Sequence, residues 1–291
     1  MRASLLEPFV AAVLVCGLAR GFAGCGAPPA APYAPQTAAS GGEPVGARTA
    51  ASGPSAASAP SANPDGAYDP CPRAEPCRIL PLGDSITAGF GSTKNGSYRV
   101  EIFRKAHEAG QSLTFVGTMR GGPATVDGVA FPTANEGHGG YTIDDSKRTR
   151  GVSPLVAGAM QRFHPHVVTL MIGTNDISNY LDIAHAPARL GALLDTILAA
   201  DPKILLVVAQ IIPIALGNVD PKVVAYNAAI PPLVASRAAA GAHVVLVDMH
   251  SAFTKNARYP KEYMHDYVHP NDKGYAAMGD VWYSALSPFL H

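Results

Sequence analysis

The sequence predicts an α/β fold, a three-layer α/β/α sandwich around a five-stranded parallel sheet. The strand segments are continuous apolar runs without polar alternation, which is typical of strands covered on both faces. They alternate with segments whose apolar residues recur at helical spacing. Strands are predicted at 79–82, 113–116, 167–172, 204–209 and 244–247, and helices at 98–109, 184–200, 220–240 and 271–286.

Two adjacent prolines, Pro231 and Pro232, fall inside the third predicted helix. Proline lacks the backbone N–H and its ring clashes with the preceding turn, so we expect this helix to be broken or kinked there. The 47% of hydrophobic residues suffices for one sizeable core. No internal repeat and no second core-sized segment follows residue 77, so one folded domain is predicted at 71–291.

The first quarter of the chain differs from this domain in composition. Residues 1–25 contain Arg2 and an apolar stretch from Phe9 to Ala19. The stretch is shorter than the ~20 residues of a membrane span and is typical of an export signal. Residues 26–70 are mainly Ala, Pro, Ser and Gly. Such a segment cannot bury enough apolar surface to offset its ordering entropy, so we predict a disordered linker.

The end of the export segment leaves two interpretations open. Phe22-Ala23-Gly24-Cys25 resembles a bacterial lipobox, whose cysteine is lipidated after cleavage. The alternative is an ordinary signal peptide that is cut nearby. Both predict an extracytoplasmic protein, either secreted or a cell-envelope lipoprotein, and only the first predicts a membrane tether through Cys25.

The cysteines agree with an oxidising compartment. Cys16 and Cys25 lie in the export segment, which leaves Cys71 and Cys77 as the only pair in the predicted domain. We expect these two to form a disulfide that closes a small loop before the first strand. Their spacing is not that of a zinc knuckle, and no second cysteine pair completes four ligands.

The charge balance excludes one class of partner. The chain has 22 basic and 22 acidic residues and a formal net charge of zero. Without a basic patch there is no electrostatic footprint for nucleic acid or anionic lipid. A neutral or polymeric substrate fits this composition better.

The tripeptide Gly83-Asp84-Ser85 follows the first predicted strand. Gly83 permits a sharp exit, so the Ser85 hydroxyl is expected at the carboxyl edge of the sheet, where open α/β sheets bind ligands. The same residues also suit an ordinary strand-ending turn with a capping serine. Other motifs must decide between these uses.

An acid and a base that could activate this serine occur together near the C-terminus, as Asp266 and His269. A serine hydroxyl is a poor nucleophile until an imidazole takes its proton, and a carboxylate fixes the tautomer of that imidazole. The tight turn before Pro270 can provide both groups. The sequence thus predicts a Ser-His-Asp triad.

Two further blocks can supply hydrogen-bond donors. Gly173-Thr174-Asn175-Asp176 follows the third strand, so the Asn175 amide is expected at the same sheet edge. The segment 136–141 reads as a glycine loop whose backbone N–H groups can approach a substrate closely. Asp84 and Asp176 are interpreted as residues that fix their own turns by local hydrogen bonds.

In this order the four blocks resemble those of the SGNH branch of the GDSL hydrolases, named for the Ser, Gly, Asn and His that they carry. The resemblance spans roughly residues 77 to 290 and implies a flavodoxin-like SGNH hydrolase fold. It implies that 71–291 is a catalytic domain with carboxylic ester hydrolase activity and no cofactor. It also implies that Ser85 is the nucleophile, with His269 and Asp266 completing the triad.

The resemblance further implies the oxyanion hole. Its donors would be the backbone N–H groups of Ser85 and Gly140 and the side-chain amide of Asn175.

The amino-acid sequences of the blocks are most similar to those of the family-three carbohydrate esterases, the acetylxylan esterase type. The matching segments are Pro-Leu-Gly-Asp-Ser-Ile-Thr-Ala-Gly, Ser97-Tyr98-Arg99, Phe115-Val116-Gly117, Glu-Gly-His-x-Gly and Ile-Gly-Thr-Asn-Asp. Gly139 stands where that subgroup usually has Ser, and Tyr141 where it usually has Trp. The resemblance implies an esterase that removes acetyl or other short acyl groups from polysaccharide such as acetylated xylan. We also expect a monomer.

Two functional alternatives remain. One is a lysophospholipase or broad carboxylesterase of the same superfamily, which would act on small or lipid esters. The other is a non-catalytic envelope lipoprotein that binds glycans in the same cleft.

The remaining histidines leave a metal site as an alternative to the triad. His265 and His269 are four residues apart, a spacing that binds zinc on a helix, but Asp266 and Pro270 favour a turn and no third ligand is evident. We therefore expect no metal. His138 either lines the cleft or orders its loop. The others are interpreted as surface or capping residues: His164, His166 and His250.

Overall fold

The structure is a computed structural model that describes residues 68–291. The predicted export signal at 1–25 and nearly all of the predicted linker at 26–70 lie outside the described residues. Within 68–291 the chain forms nine strands and nine α-helices. The strands are β1 (Cys77–Gly83), β2 (Leu113–Phe115), β3 (Met119–Arg120), β4 (Thr125–Val126), β5 (Val129–Ala130), β6 (Ala134–Gly137), β7 (Val167–Met171), β8 (Leu205–Ala209) and β9 (Val244–Val247). The helices are α1 (Ser85–Ala88), α2 (Arg99–Glu108), α3 (Ser153–Phe163), α4 (Thr174–Ser178), α5 (Ala186–Ala200), α6 (Asp220–Ala239), α7 (Met249–Thr254), α8 (Tyr259–Tyr263) and α9 (Asp272–Leu286).

The main sheet has the order β3-β6-β1-β7-β8-β9, and β2 pairs with the first half of β1. All five predicted strands are present, as β1, β2, β7, β8 and β9, and they pair in parallel. The sequence pattern does not reveal β6, which also runs parallel to β1, or the antiparallel β3. β6 has the sequence Ala-Asn-Glu-Gly, which contains no apolar run and so gives no strand signal.

Helices cover the sheet in two groups, which confirms the predicted α/β/α sandwich. In one group α2, α7 and α8 pack against α9, and in the other α3 and α6 pack against α5. β7 and β8 are buried at every residue, as their continuous apolar runs predict. No helix in the described part of the chain is both long and apolar enough to cross a membrane.

Of the two expected outcomes at Pro231 and Pro232, a break and a kink, the break does not occur, because α6 runs without interruption from Asp220 to Ala239. Pro231 cannot donate to the carbonyl four residues earlier, which belongs to the buried Asn227. The side chain of Gln210 replaces that donor, since its Nε2 lies 3.1 Å from the Asn227 carbonyl oxygen. Pro232 likewise cannot donate to the carbonyl of Ala228, and Ala228 is an exposed residue. A side chain from outside the helix thus supports a helix that local sequence would end.

The described N-terminal residues are attached to the domain more extensively than the linker boundary at residue 70 predicts. Tyr68 stacks on His243 with ring centroids 3.4 Å apart, and its hydroxyl donates to the carbonyl of Lys203. The Asp69 carboxylate lies 2.9 Å from Nε2 of His291. Cys71 and Cys77 form a disulfide, and both are buried. Tyr68 has the large apolar ring that the rest of the linker mostly lacks, so it can pack.

Replacing Gln210 should test its support of α6. Gln210→Leu leaves the buried Asn227 carbonyl without a donor, so we expect a loss of about 1–3 kcal/mol in the free energy of unfolding. The loss should be smaller in a Pro231→Ala background, because an alanine at that position can donate its own N–H to the same carbonyl. Urea unfolding of the four proteins of this cycle gives the coupling energy, and additive effects would contradict the assignment.

Candidate active site

Ser85 stands where β1 ends and a short helix begins. β1 stops at Gly83, Asp84 caps α1, and Ser85 is the first residue of that helix. The cap is a hydrogen bond of 2.9 Å from the backbone N–H of Ile86 to Oδ1 of Asp84. The strand and the cap together fix the direction of the Ser85 side chain at the carboxyl edge of the sheet.

A continuous hydrogen-bonded relay joins the three predicted triad residues. Oγ of Ser85 lies 2.9 Å from Nε2 of His269, and Nδ1 of His269 lies 2.9 Å from Oδ2 of Asp266. An ionised carboxylate only accepts hydrogen bonds, so Nδ1 carries the proton of a neutral imidazole. Nε2 is then an acceptor for the Ser85 hydroxyl. This geometry can remove the hydroxyl proton as the oxygen attacks an acyl carbon.

The Asp266 carboxylate is held in its ionised form. Burial raises its pKa, but the backbone N–H groups of His269 and Val268 and the His269 ring outweigh this effect, so the pKa of Asp266 is lowered. Its Oδ1 accepts both N–H bonds, at 2.7 and 2.8 Å. An ionised Asp266 fixes the tautomer of His269 and stabilises the imidazolium that forms during proton transfer.

The segment that carries this acid and base is a closed turn and not a helix. Met264 and Pro270 form an antiparallel bridge at its base, and the backbone N–H of His265 donates to the carbonyl of His269. Asn271 then caps α9 by accepting two backbone N–H bonds. Both ring nitrogens of His269 are engaged, and residues 68–291 contain no cluster of three His, Cys, Asp or Glu residues that could hold a metal ion.

The glycine loop lies directly beside Ser85. Gly137, the last residue of β6, packs so close to α1 that an added Cβ would lie 2.2 Å from the backbone nitrogen of Ala88. A Cβ at Gly139 would lie 4.0 Å from that of Ser85. Gly140 has a φ of 78°, a left-handed conformation that favours glycine. The Gly140 N–H makes no hydrogen bond within the described residues, so it is available as a donor.

Asn175 lies on α4, which begins just beyond the end of β7. Its Nδ2 donates to the carbonyl of Tyr141 over 2.8 Å. The bond uses one of the two amide hydrogens and ties Asn175 to the loop that contains Gly140. The structure therefore brings the predicted oxyanion donors to the same sheet edge as Ser85.

The two aspartates of the motifs behave differently from each other. Asp84 is fully buried, and its Oδ2 has no hydrogen-bond partner among the residues that the structure describes. Burial raises the pKa of Asp84 to about 7. Asp176 departs from the predicted local role, because its carboxylate accepts hydrogen bonds from the distant Ile143 N–H and from Arg189. Burial nevertheless raises the pKa of Asp176.

Sequence reasoning missed two contacts at the site. The ring of Phe90 lies against His269 with centroids 4.5 Å apart, and nothing in the local sequence signals this contact. His138 binds the buried Glu136 over 2.8 Å, which places it among the loop-ordering residues. Glu136 and His138 are two apart along an extended segment, a spacing that puts side chains on one face and could have indicated the pair.

Two other histidines have structural positions. His164 ends α3 in a left-handed conformation, and Nδ1 of His166 accepts the backbone N–H of Arg78. Neither histidine contacts the relay in these interactions, in agreement with their interpretation as capping or surface residues.

A relay of a serine, an imidazole and a carboxylate lies at the carboxyl edge of this parallel sheet, an arrangement that can activate a serine hydroxyl for attack on an acyl group. Residues 82–277 match the GDSL-like lipase/acylhydrolase family, and the chain belongs to that family. The expectation of a carboxylic ester hydrolase is thereby confirmed at the level of the family.

The chain is similar to several known esterases. The family 3 carbohydrate esterase of Clostridium thermocellum is 29% identical, with a TM-score of 0.63 over 74% of this chain and 96% of that chain. A mutant acetyl esterase solved with acetate ion is 26% identical, with a TM-score of 0.59 over 73% of this chain and 97% of that chain. A multidomain esterase of Ruminococcus flavefaciens is 28% identical, covering 73% of this chain but only 29% of that protein. The resemblance to family-three carbohydrate esterases is confirmed.

Replacing the buried Asp84 should change how stability depends on pH. The pKa of Asp84 is about 7 in the folded protein and 3.8 for an ordinary aspartate. Between these values the unfolded chain ionises Asp84 while the folded protein keeps it neutral, so the stability due to this group is full below about pH 4 and is lost towards about pH 7. Asp84→Asn keeps the capping oxygen but does not titrate.

The wild type should therefore lose stability relative to Asp84→Asn by up to about 1.4 kcal/mol per pH unit across this window. Urea unfolding at several pH values measures the difference. A difference that does not change with pH would show that Asp84 is already ionised in the folded protein.

Proposed function

We propose that this protein is a serine esterase that acts through a Ser-His-Asp triad and an acyl-enzyme. His269 takes the Ser85 proton as the hydroxyl oxygen attacks the ester carbonyl, and Asp266 stabilises the resulting imidazolium. The imidazolium gives its proton to the leaving alcohol. Water then repeats the cycle on the acyl-enzyme, so no cofactor enters the reaction. The single observation that carries this proposal is the continuous relay from Asp266 through His269 to Ser85.

The donors beside Ser85 are assigned to the oxyanion hole. The negative charge on the carbonyl oxygen appears as the tetrahedral state forms, among the N–H groups of Ser85 and Gly140 and the amide of Asn175. Such donors stabilise the transition state more than the substrate, and each contributes on the order of 3 kcal/mol. Two of them are supported by position: Gly140 has an available N–H, and Asn175 is fixed to the same loop.

The substrate we propose is an O-acetylated polysaccharide such as acetylated xylan. The likeness to a family 3 carbohydrate esterase and to an acetyl esterase supports this class. One exposed aromatic ring contacts the relay and a second adjoins it in the sequence: Phe90, 52% exposed, packs on His269, and Tyr267, 64% exposed, lies between Asp266 and His269 in the chain. Exposed aromatic faces provide apolar platforms on which sugar rings can pack.

A lysophospholipase or broad carboxylesterase remains the second candidate, because the family includes lipases and acylhydrolases. We further propose that residues 1–25 direct export and that 26–70 form a spacer before the catalytic domain. In this proposal the protein is secreted or is held at the cell envelope by a lipidated Cys25, and it acts as a monomer.

Removal of the proposed nucleophile tests the mechanism. Ser85→Ala should leave a folded but essentially inactive protein in the hydrolysis of p-nitrophenyl acetate, because the hydroxyl that forms the acyl-enzyme is gone. His269→Ala should lower kcat by roughly a thousandfold or more. His265→Ala is the matched control, because His265 lies in the same turn but outside the relay, and it should retain most activity.

Chelators should leave this activity unchanged, and kcat/KM should rise along one limb with pH because His269 must be neutral to accept the proton. Substantial turnover by Ser85→Ala would sink the assignment. Equal damage from the two histidine variants, or a loss on chelation that zinc restores, would favour the metal alternative.

Acyl-chain preference separates the two candidate substrate classes. Acetate esters should be hydrolysed faster than octanoate esters, and acetate should be released from acetylated xylan. Tyr267→Ala should raise KM for the polysaccharide while leaving turnover of p-nitrophenyl acetate unchanged, because only the polymer reaches the exposed ring. A preference for octanoate would favour the lysophospholipase or broad carboxylesterase.

A further inference from the structure

Glu136 lies in β6 and has a buried carboxylate, both oxygens of which make hydrogen bonds. Its side chain is 3% exposed. Oε2 accepts the backbone N–H of Thr118 at 2.8 Å, and Oε1 accepts the Thr118 hydroxyl at 2.9 Å. Nε2 of His138 lies 2.8 Å from Oε1. Burial raises the pKa of Glu136, but His138 and Thr118 outweigh it, so the pKa is lowered and the group is ionised at neutral pH. Nε2 of His138 must therefore carry a hydrogen and donate it.

His138 connects this fixed carboxylate to the glycine loop by three contacts. Its backbone N–H donates to the carbonyl of Gly83, just before the Asp84-Ser85 turn, over 2.9 Å. Its carbonyl accepts the N–H of Tyr141 at 3.1 Å and closes the turn that contains Gly139 and Gly140. Its ring stacks on that of Tyr141, with centroids 4.9 Å apart. The backbone of His138 thereby fixes the start of the loop beside Gly83, and its ring packs on Tyr141 at the other end.

The same contacts reach Asn175, another of the proposed oxyanion donors. The carbonyl of Tyr141 accepts Nδ2 of Asn175 at 2.8 Å. A displacement of Tyr141 would move this acceptor and turn the amide of Asn175. Glu136, His138, Tyr141 and Asn175 thus form a chain of direct contacts that contains one proposed oxyanion donor, Asn175, and borders another, Gly140.

We propose that Glu136 and His138 are a positioning pair for the oxyanion hole, a second carboxylate–histidine unit that moves no proton in the reaction. The inference rests on the proposed function, because it assigns the geometry of donors used in that reaction. The pair holds the loop so that the Gly140 N–H and the Asn175 amide point to one place. A rigid hydrogen bond suits this task, since donors stabilise an oxyanion only when they are already aimed at it.

His138→Phe tests the pair by keeping a ring for Tyr141 and removing the bond to Glu136. For p-nitrophenyl acetate we expect kcat to fall by roughly tenfold to a hundredfold. KM and the ascending limb of the pH profile, which belongs to His269, should change little. Tyr141→Ala should lower kcat as well, and Tyr141→Phe, which keeps the stacked ring, should lose less.

His291→Phe is the matched control. It breaks a similar pair, because His291 binds the Asp69 carboxylate, whose side chain is 4% exposed, at the N-terminal attachment of the domain. It should change thermal stability without changing kcat. If His138→Phe lowered activity only by destabilising the protein, then His291→Phe, at an equal loss of Tm, would lower activity equally.

A double-mutant cycle with Asn175→Ala decides whether the pair acts through the oxyanion donors. His138→Phe should cost a smaller factor in kcat when Asn175 is absent, because one donor that it positions is gone. Fully multiplicative effects would overturn the proposal, and so would an unchanged kcat or an increase in KM alone. If His138→Phe does not fold, Tyr141→Ala in the same cycle gives the same decision.

Ser85→Ala, measured in the same experiment, distinguishes a failure of the proposed reaction from a failure of the positioning pair. If Ser85→Ala is inactive and the His138 and Tyr141 variants retain full kcat, only the positioning pair is wrong. If Ser85→Ala remains active, the proposed reaction and the positioning pair are both overturned.

Discussion

The parallel pairing of β1 with β6 and β7 is the constraint on which the site depends. Gly83, the last residue of β1, is level with Gly137 of β6 and with Met171 of β7. Because the three strands run in one direction, the loops that follow them leave the sheet at the same height. Ser85, the glycine loop and Asn175 therefore start from a common level, and the backbone sets their mutual distances.

The acid and base reach this edge by a different route. They belong to a turn outside the sheet, closed by the bridge of Met264 and Pro270. Local bonds fix this turn: the Asp266 carboxylate accepts two N–H groups of its own segment, and Asn271 caps the helix that follows. The nucleophile and the donors thus depend on sheet register, whereas the position of His269 depends on a short segment and its packing. Phe90 joins the two regions through its contact with His269.

Three buried carboxylates lie in or near the Ser85 turn, and their hydrogen bonds influence the pKa of each. Glu136 is bound by His138 and Thr118 and is ionised, so it can anchor a loop through a charged hydrogen bond. Asp176 binds Arg189 and a distant backbone N–H, and it ties α4 to the segment after the glycine loop. Asp84 has one N–H donor for two oxygens, and burial raises its pKa. Burial raises the pKa of a carboxylate, and hydrogen-bond donors lower it, so the balance differs at each of the three sites: the pKa is raised at Asp84 and Asp176 and lowered at Glu136.

The sequence alone determined the fold class, the five main strands and the residues of the relay. Apolar runs such as β7 and β8 are local signals of burial on both faces, and motifs such as Gly83-Asp84-Ser85 are contiguous, so both can be read without a structure. Only the tertiary structure decided the features that depend on partners far away in the chain. β6 is held by its pairing and not by its composition, and in α6 the side chain of Gln210 donates to the carbonyl that Pro231 cannot reach. A local pattern records what a segment prefers, whereas a donor, a neighbouring strand or a stacked ring from elsewhere can override that preference, and the sequence does not mark where such partners meet.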